Sequence, residues 1–383
     1  MEVSVVIPCL NEEKSVGTCV EKAFQALKSL GISGEVIVVD NGSQDRSVEV
    51  AKSAGARLVL HAERGYGSAT LRGIRESRGT LVIMGDADET YDFSEIPQFI
   101  KLLQEGVDFV IGNRFSGRVG RKAMPLLHRL LGTPILNWLL RIFFHAHFSD
   151  LNCGFRAFRK GVIEQLNLKC TGMEFASEML IRIVEAGLSI KEIPISYHPG
   201  PFGRRPHLRT FQDGWRHLRL MLVLCPRYLF FIPGIVLSLL GLILLNFVYF
   251  TEIRIFHMSS GLSTAVFANA LLFMGIQITL FGIYSMILNR ARGIATENGI
   301  TRFFQNHFTL EAGLILGGFV LASGVFLGFT TACLIFKFAN NLPYVHIPLA
   351  RLAIFAIFTC LIGIQALFSS FYIGLLNLDK TLK

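Results

Sequence analysis

The sequence predicts an α/β domain built on a mostly parallel sheet, followed by an α-helical membrane domain of four spans. Three observations predict this. Valine- and isoleucine-rich runs alternate with helical stretches over the first hundred residues. Four long apolar stretches follow residue 228. The chain of 383 residues is 51% hydrophobic with a mean hydropathy of +0.49, too apolar for an ordinary soluble enzyme.

The elements follow in order. "VSVVIP" (3–8) is a short β-rich run, and a helical stretch covers about 12–30 with Asn11 as its expected N-cap. "EVIVVDNGS" (35–43) is a second strand ending in an Asp-Asn-Gly turn. A helix over about 45–54 leads to a third strand, "ARLVLH", and "RGYGSATLRGIRES" reads as a Gly-rich loop opening a helix. "GTLVIMGDAD" supplies the fourth strand. These strands lack polar alternation, as expected of a parallel sheet covered on both faces. Such sheets bind ligands at the carboxyl ends of their strands. Asn11, Asp40, Asn41, Asp86 and Asp88 all fall at or just past those ends.

Beyond the α/β part, about 228–250, 262–289, 310–336 and 348–376 each exceed the roughly 20 residues that cross about 30 Å of hydrocarbon. The expected division is a catalytic domain over 1–200, a juxtamembrane amphipathic helix over 201–227 and a membrane domain over 228–383. The 289–309 loop carries Arg290, Arg292 and Arg302, and the tail carries Lys380 and Lys383. The other two connections hold Arg254 and Lys337. This asymmetry places the N-terminal domain and both termini on the cytoplasmic side, at a prokaryotic plasma membrane or the endoplasmic reticulum.

Charge follows the same division. Residues 1–100 carry 10 basic against 15 acidic side chains, and residues 101–227 carry 19 against 9. Basic charge beside membrane spans suits anionic headgroups or a lipid-borne phosphate, and argues against nucleic acid as the partner. In 207–224, Phe211, Trp215, Leu218 and Leu222 recur at helical spacing, the pattern of a helix lying in the interface. The run 124–144 is too interrupted by His128, Arg129 and Gly132-Thr133-Pro134 to span, and too apolar to be freely exposed. For both, an ordinary core helix is the alternative. Seven cysteines without a C-x-x-C pair fit a reducing compartment, not a disulfide scaffold or zinc site. The start, "MEVSVVIPCL", has no secretory signal pattern.

In "GDADETYDF" (85–93), Asp86, Asp88, Glu89 and Asp92 crowd within seven positions after an apolar strand. An EF-hand is excluded, since counting from Asp86 places Tyr91 at position 6 and Pro97 at position 12. A plain polar turn remains open. Side chains at i and i+2 of an extended segment share a side, so Asp86 and Asp88 can face one ion. Two carboxylates about 4 Å apart repel by about 4 kcal/mol at an effective dielectric near 20, and a divalent cation reverses that sign. Mg²⁺ or Mn²⁺ bound by one or two carboxylates takes its remaining ligands from substrate phosphates.

"VSVVIPCLNEE", "VIVVDNGSQD", "RGYGSA" and "VIMGDAD", in that order, resemble the nucleotide-binding half of family 2 glycosyltransferases. The likeness continues through "VIGNRFSG" and "DLNCGFRAFRK" and is greatest to polyprenyl-phosphate glycosyltransferases of the dolichyl-phosphate mannose or glucose synthase type. It implies a Rossmann-like GT-A catalytic domain. It also implies metal-dependent, inverting transfer of a hexose from a UDP- or GDP-sugar to a dolichyl or undecaprenyl phosphate. By the same resemblance Pro8 and Glu12 contact the nucleotide base, and Asp40 and Asn41 the base or ribose. Asp86 and Asp88 hold Mg²⁺ or Mn²⁺, and Arg114 lies near the phosphates. Arg129, Arg204 and Arg205 hold the acceptor phosphate. Glu174 and Glu178 orient sugar hydroxyls or serve a helix cap or ion pair. Homo-oligomerisation is left open.

Three alternatives stay in view. A processive polysaccharide synthase would carry Q-x-x-R-W, and here "QDGWRH" reverses Trp and Arg; another lipid acceptor is a related option. A dinucleotide-binding oxidoreductase would need a third glycine where "GYGSAT" has Thr70. A non-catalytic protein that flips a lipid would have little use for the D-x-D and basic elements.

Overall fold

Strand β1 (Val3–Cys9) is an interior strand of the sheet because its side chains are mostly apolar on both faces, and Val3 to Ile7 are all buried. The computed structural model describes residues 1–120, 128–201, 210–250, 261–291, 299–338 and 346–381. It divides into two compact units, Met1–Val223 and Leu224–Lys383.

In the first unit, β2 (Gly34–Asp40), β3 (Arg57–Leu60), β4 (Leu81–Met84), β5 (Phe109–Asn113), β6 (Arg156–Arg159) and β7 (Ile190–Pro194) join β1 in a seven-stranded sheet, ordered β3-β2-β1-β4-β6-β5-β7. The connecting helices are α1 (Val16–Ser29), α2 (Ser47–Ser53), α3 (Tyr66–Glu76), α4 (Ile96–Gln104), α5 (Thr133–Phe144), α6 (Lys160–Gln165), α7 (Phe175–Glu185) and α8 (Thr210–Leu224). The first four strands are parallel, as their apolar runs predict. β6 differs. It lies between β4 and β5 and runs antiparallel to both. Such a reversal within one sheet leaves no mark on local periodicity.

Register sets where the strands deliver their side chains. Cys9 stands opposite Asp40, and Val6 opposite Met84. β4 therefore ends below the rim, and Gly85 N–H donates to Val6 O (3.2 Å) before Asp86 turns out. Asp40 and Asp86 thus flank the carboxyl end of β1.

Asn11 does not cap α1. Helix α1 begins after Ser15, and Asn11 takes a left-handed φ of 55°, which asparagine tolerates better than most residues. Its Oδ1 accepts from Gln44 N–H (2.7 Å) and its own N–H donates to Ser43 Oγ (2.9 Å), so it ties the β1 and β2 loops together.

In the second unit, α9 (Ile232–Phe250), α10 (Leu262–Ala291), α12 (Leu310–Phe338) and α13 (His346–Thr381) contain four stretches long and apolar enough to cross a membrane. These are Arg227–Tyr249, Leu262–Ala291, Leu310–Lys337 and Pro348–Leu376; the short α11 (Gly299–His307) lies between the second and third. α9 meets α10 at Gly234 and Gly275, and α12 meets α13 at Gly324 and Gly363, where small residues let backbones approach. Tyr284 Oη donates to Ser369 Oγ (2.5 Å) between α10 and α13. Arg351, inside the fourth stretch, donates to Val248 O (3.2 Å), which supplies an acceptor for a charge in an apolar helix.

One buried polar node holds the opposite edge of the sheet. Glu35 accepts from Ser4 Oγ (2.8 Å), Arg57 Nε (2.7 Å) and Arg78 N–H (2.8 Å). Burial pushes its pKa up, but the bonds from Arg57, Arg78 and Ser4 outweigh that and hold it below the ordinary value. The resulting stability is present above the unfolded carboxyl value of about 4.3 and is lost as pH falls through the lower folded value. Glu35→Gln is expected to destabilise the chain by about 2 kcal/mol at pH 7. In detergent, hydrogen exchange at the β1 and β2 amides should show this gap, and it should close once wild type is protonated in acid.

Candidate active site at the carboxyl edge of the sheet

The polar residues past the strand ends divide into those that hold loops and those that face the cleft. Asp40 is buried and accepts from Gly42 N–H (3.1 Å) and Ser43 N–H (3.2 Å), closing its own turn. Asn41 is wholly engaged in loop structure. Its Nδ2 donates to His61 O (3.1 Å) and Glu63 O (2.7 Å), and its Oδ1 accepts from Gly65 N–H (2.7 Å). Pro8 lies opposite Val39 in the last paired positions of β1. Glu12 is buried, with Ser15 Oγ at 3.3 Å from its carboxylate and Ser47 Oγ accepting its N–H (2.7 Å).

The four carboxylates after β4 separate into different roles. Asp88 is buried and its Oδ1 accepts from Thr90 N–H (3.1 Å) and Thr90 Oγ1 (2.5 Å). Glu89 takes a left-handed φ of 59° and reverses the chain. Asp92 is structural. It caps a short 3₁₀ turn by accepting from Ser94 N–H (3.1 Å), and lies 3.6 Å from Lys22 Nζ. Asp86 is half-buried beside the Tyr66 hydroxyl, whose pKa is raised by burial and then by the Asp86 charge.

Tyr197 closes one side. Burial raises its hydroxyl pKa against the opposing charge of Arg114, and the nearby carboxylates of Asp88 and Asp86 raise it further. The charges of both aspartates of the D-x-D turn are thus felt at this hydroxyl. His198 N–H donates to Thr90 O (2.9 Å), joining the 197–198 segment to the turn. Tyr91 stacks on Phe155 at 5.6 Å, and Phe93 and Phe99 pack on the same ring, giving the turn an apolar floor.

Arg114 is buried and gripped by Asp150 through Nε–Oδ2 (2.6 Å) and Nη2–Oδ1 (2.7 Å), with its guanidinium 5.0 Å from the Tyr197 ring centre. Its charge is compensated inside the fold, so it is less available to phosphates than its sequence position implies. Arg129 lies in the π-helical turn His128–Gly132, and its side chain is outside the described residues. Arg204 and Arg205 are outside them altogether. Glu178 accepts from Lys169 N–H (3.0 Å) and Cys170 N–H (2.7 Å) and so caps a loop. Glu174 precedes α7 near His217, whose pKa burial lowers to about 4 against the opposing pull of Glu174 and Asp213.

Residues that a single sequence did not single out complete the site. Asp150, Gly154, Arg156, Tyr66 and Tyr197 are brought in by long-range pairing across the sheet. Arg156 has 0% exposure and donates to Leu151 O, Cys153 O and Ala176 O (2.8, 2.8 and 2.9 Å). The only trace in the sequence is the polar segment "DLNCGFR" between apolar flanks. Among the described residues no group of three or more His, Cys, Asp or Glu is placed to hold a metal ion alone. Two hard carboxylates at the carboxyl edge of the sheet instead suit a divalent ion completed by oxygens of a second molecule.

Comparison with known proteins agrees with this geometry. Residues 4–166 match the family model Glycosyl transferase family 2, and residues 283–377 match the Glycosyltransferase family 2 C-terminal transmembrane region. The chain is 36% identical over 376 residues to the low-salt glycan biosynthesis hexosyltransferase Agl6 of Haloferax volcanii, covering 98% of this chain and 89% of that one. It is 31% identical over 197 residues to the dolichyl-phosphate hexose transferase of the same organism, covering 51% and 82%. Among solved structures, glucosyl-3-phosphoglycerate synthase from Mycobacterium tuberculosis, in complex with Mn²⁺, UDP and glucosyl-3-phosphoglycerate, is 21% identical. Its TM-score is 0.47, with 58% of this chain and 80% of that one covered. With a family match at the sheet edge, another in the membrane helices and a relative aligned over nearly its whole length, the chain belongs to glycosyltransferase family 2.

Proposed function

We propose that this glycosyltransferase moves a hexose, glucose or mannose, from a UDP- or GDP-sugar to a dolichyl or undecaprenyl phosphate at the cytoplasmic membrane face. The observation that carries the reading is the D-x-D turn at the carboxyl edge of β4, which sets Asp86 and the buried Asp88 just past the strand end. The relatives named for hexosyl transfer, one of them to dolichyl phosphate, support the donor and acceptor classes. The basic loop at 289–309 supports a cytoplasmic site.

Helix α8 supports a membrane-surface acceptor. Its buried stripe is Asp213, His217 and Met221, while Phe211 and Trp215 are 85% and 57% exposed. A soluble amphipathic helix has the opposite arrangement. In and beside α5, Leu131, Ile135 and Trp138 are also exposed at helical spacing. Aromatic faces outward, next in sequence to a membrane span, suit an interfacial position.

The residues fit a divalent ion, Mg²⁺ or Mn²⁺, held by Asp86 and Asp88. When bound, it supplies positive charge for the diphosphate leaving group. The chain's own residues do the rest. Pro8, Glu12 and Asp40 line the edge where the nucleotide would lie, with Asn41 holding the loop behind it. The acceptor needs no general base, since a phosphate monoester with a second pKa near 6 is already ionised at pH 7. One acceptor oxygen bonds to the anomeric carbon as the bond to the diphosphate breaks, and that electron pair leaves with the diphosphate. Attack from the face opposite the leaving group inverts the centre. Arg129, Arg204 and Arg205 are proposed to meet the acceptor phosphate.

The direct test incubates purified protein with Mg²⁺ or Mn²⁺, a short polyprenyl phosphate and UDP- or GDP-hexoses, and measures product mass and anomeric coupling. One hexose per lipid on a phosphate bridge is expected; a multi-sugar or bridge-free product would point to the related alternatives. Asp88→Ala, with its circular dichroism intact, is expected to lose on the order of 100-fold or more in transfer, as is chelated wild type. Near-normal transfer in either case would remove the metal role.

The Arg114–Asp150 pair generates a separate expectation. Removing either partner leaves a buried charge uncompensated, so Arg114→Ala and Asp150→Ala should each destabilise the chain by about 3–5 kcal/mol. The apolar double variant Arg114→Met/Asp150→Leu should recover much of that loss in denaturant melts. Coupling near zero in this cycle would show that Arg114 works mainly in the cleft and not in the fold.

A further inference from the structure

The reading above rests on Asp86 as a metal ligand, and the structure surrounds that carboxylate with two groups that nothing so far accounts for. The first is Tyr66, whose buried hydroxyl lies beside the Asp86 carboxylate. The second is Gly154. A Cβ placed there would come within 3.0 Å of Asp86 Oδ2, 3.2 Å of Asp86 Oδ1 and 3.2 Å of Tyr66 Oη. Both Asp86 oxygens and the tyrosine oxygen therefore gather around one point above the Gly154 Cα.

Neither group can easily retreat. Tyr66 opens α3 after Gly65, whose N–H is held by Asn41 and whose φ of 143° brings the backbone against Thr171 O. Ser68 N–H donates to that same carbonyl (3.0 Å). Gly154 N–H donates to Tyr91 Oη (2.8 Å), and the preceding residues are pinned by Arg156, which takes Cys153 O and Leu151 O. A side chain here would press on the carboxylate and the tyrosine and shift them by a few tenths of an ångström.

We infer that Tyr66 is a positioning residue for the metal ligand Asp86, its hydroxyl fixing the carboxylate's orientation while Gly154 limits its travel. A hydroxyl held at that place selects one orientation of a group that would otherwise swing. Ligand-orienting partners of this kind alter metal affinity by about 10–100-fold. Asp88 is oriented differently, by Thr90 within its own turn. The two ligands are then set by independent devices, one local and one assembled from two distant loops.

The test measures Mn²⁺ binding to the purified full-length protein in detergent by electron paramagnetic resonance, with Mn²⁺ alone and with UDP or GDP present. Wild type, Tyr66→Phe, Gly154→Ala and Asp86→Ala are compared, with thermal melts recorded for each. Tyr66→Phe is expected to weaken Mn²⁺ binding about 10-fold or more while its melt stays near wild type. In transfer assays the loss should fall more on the apparent Mn²⁺ constant than on kcat at saturating metal, a split that a merely structural tyrosine does not produce. Gly154→Ala should weaken binding in the same direction, and serves as the readout if Tyr66→Phe does not fold. Loss of binding in Asp86→Ala with wild-type affinity in Tyr66→Phe would overturn this inference alone. Wild-type affinity in Asp86→Ala would overturn the metal reading on which it rests.

Discussion

The guanidinium of Arg156 is the constraint on which the rest of the site depends. It is wholly buried and donates to three backbone carbonyls, Leu151, Cys153 and Ala176. Burying such a charge costs several kcal/mol, so an arrangement of this kind persists only if every donor is well met. Charge-assisted bonds to carbonyls meet that demand and dictate the path of the chain around the cation. β6 is inserted antiparallel between β4 and β5, with Arg156 opposite Met84. The segment just before it delivers Asp150 to Arg114 and Gly154 to Asp86. A single buried cation thereby connects the D-x-D turn, the arginine beside Tyr197 and the start of α7.

The same economy explains how several carboxylates can share one sheet edge. Like charges at this spacing repel, yet most of these groups are held by short-range donors. Asp40 is met by the amides of its own turn, Asp88 by Thr90, Asp92 by Ser94, and Asp45 by Ser47. Bonds of this kind favour the ionised form, and the pKa values of Asp45 and Asp92 fall below the ordinary range even though burial opposes the shift. Asp86 follows another pattern, since its partner comes from α3, twenty residues earlier in the chain. A carboxylate oriented by a distant group is sensitive to how the loops assemble, whereas one oriented by its own turn is not.

What the sequence made legible follows from range. The strands β1 to β4, the D-x-D turn and the four apolar helices are written in runs of adjacent residues, and the structure places them close to where those runs begin and end. Less was legible where one side chain had both a local and a distant option. Asn11 has the composition of an N-cap, yet its amide is used across to Gln44. Asn41 sits in a motif associated with nucleotide contacts, and its three side-chain bonds hold the 61–65 loop. Arg114 and Asp150 lie 36 positions apart, and no periodicity joins them. Tyr66 was visible only as part of a Gly-rich loop, because its relation to Asp86 exists only once β6 has brought Gly154 against both.

These compensations bear on how two anionic substrates can meet. A nucleotide sugar and a lipid phosphate repel as they approach, and the repulsion is largest where water is excluded. Arg114 and Arg156 look from the sequence like a supply of positive charge, but Asp150 and three carbonyls already compensate them. The bonds they make build the site. On the proposed reading, charge for the donor must then come from the ion between Asp86 and Asp88. Charge for the acceptor must come from Arg129, Arg204 and Arg205, in segments adjoining the helices with exposed aromatic faces. That separation has a physical advantage. A cation fixed in the sheet edge serves a donor that arrives from water, while arginines beside an interfacial helix serve an acceptor confined to the membrane plane.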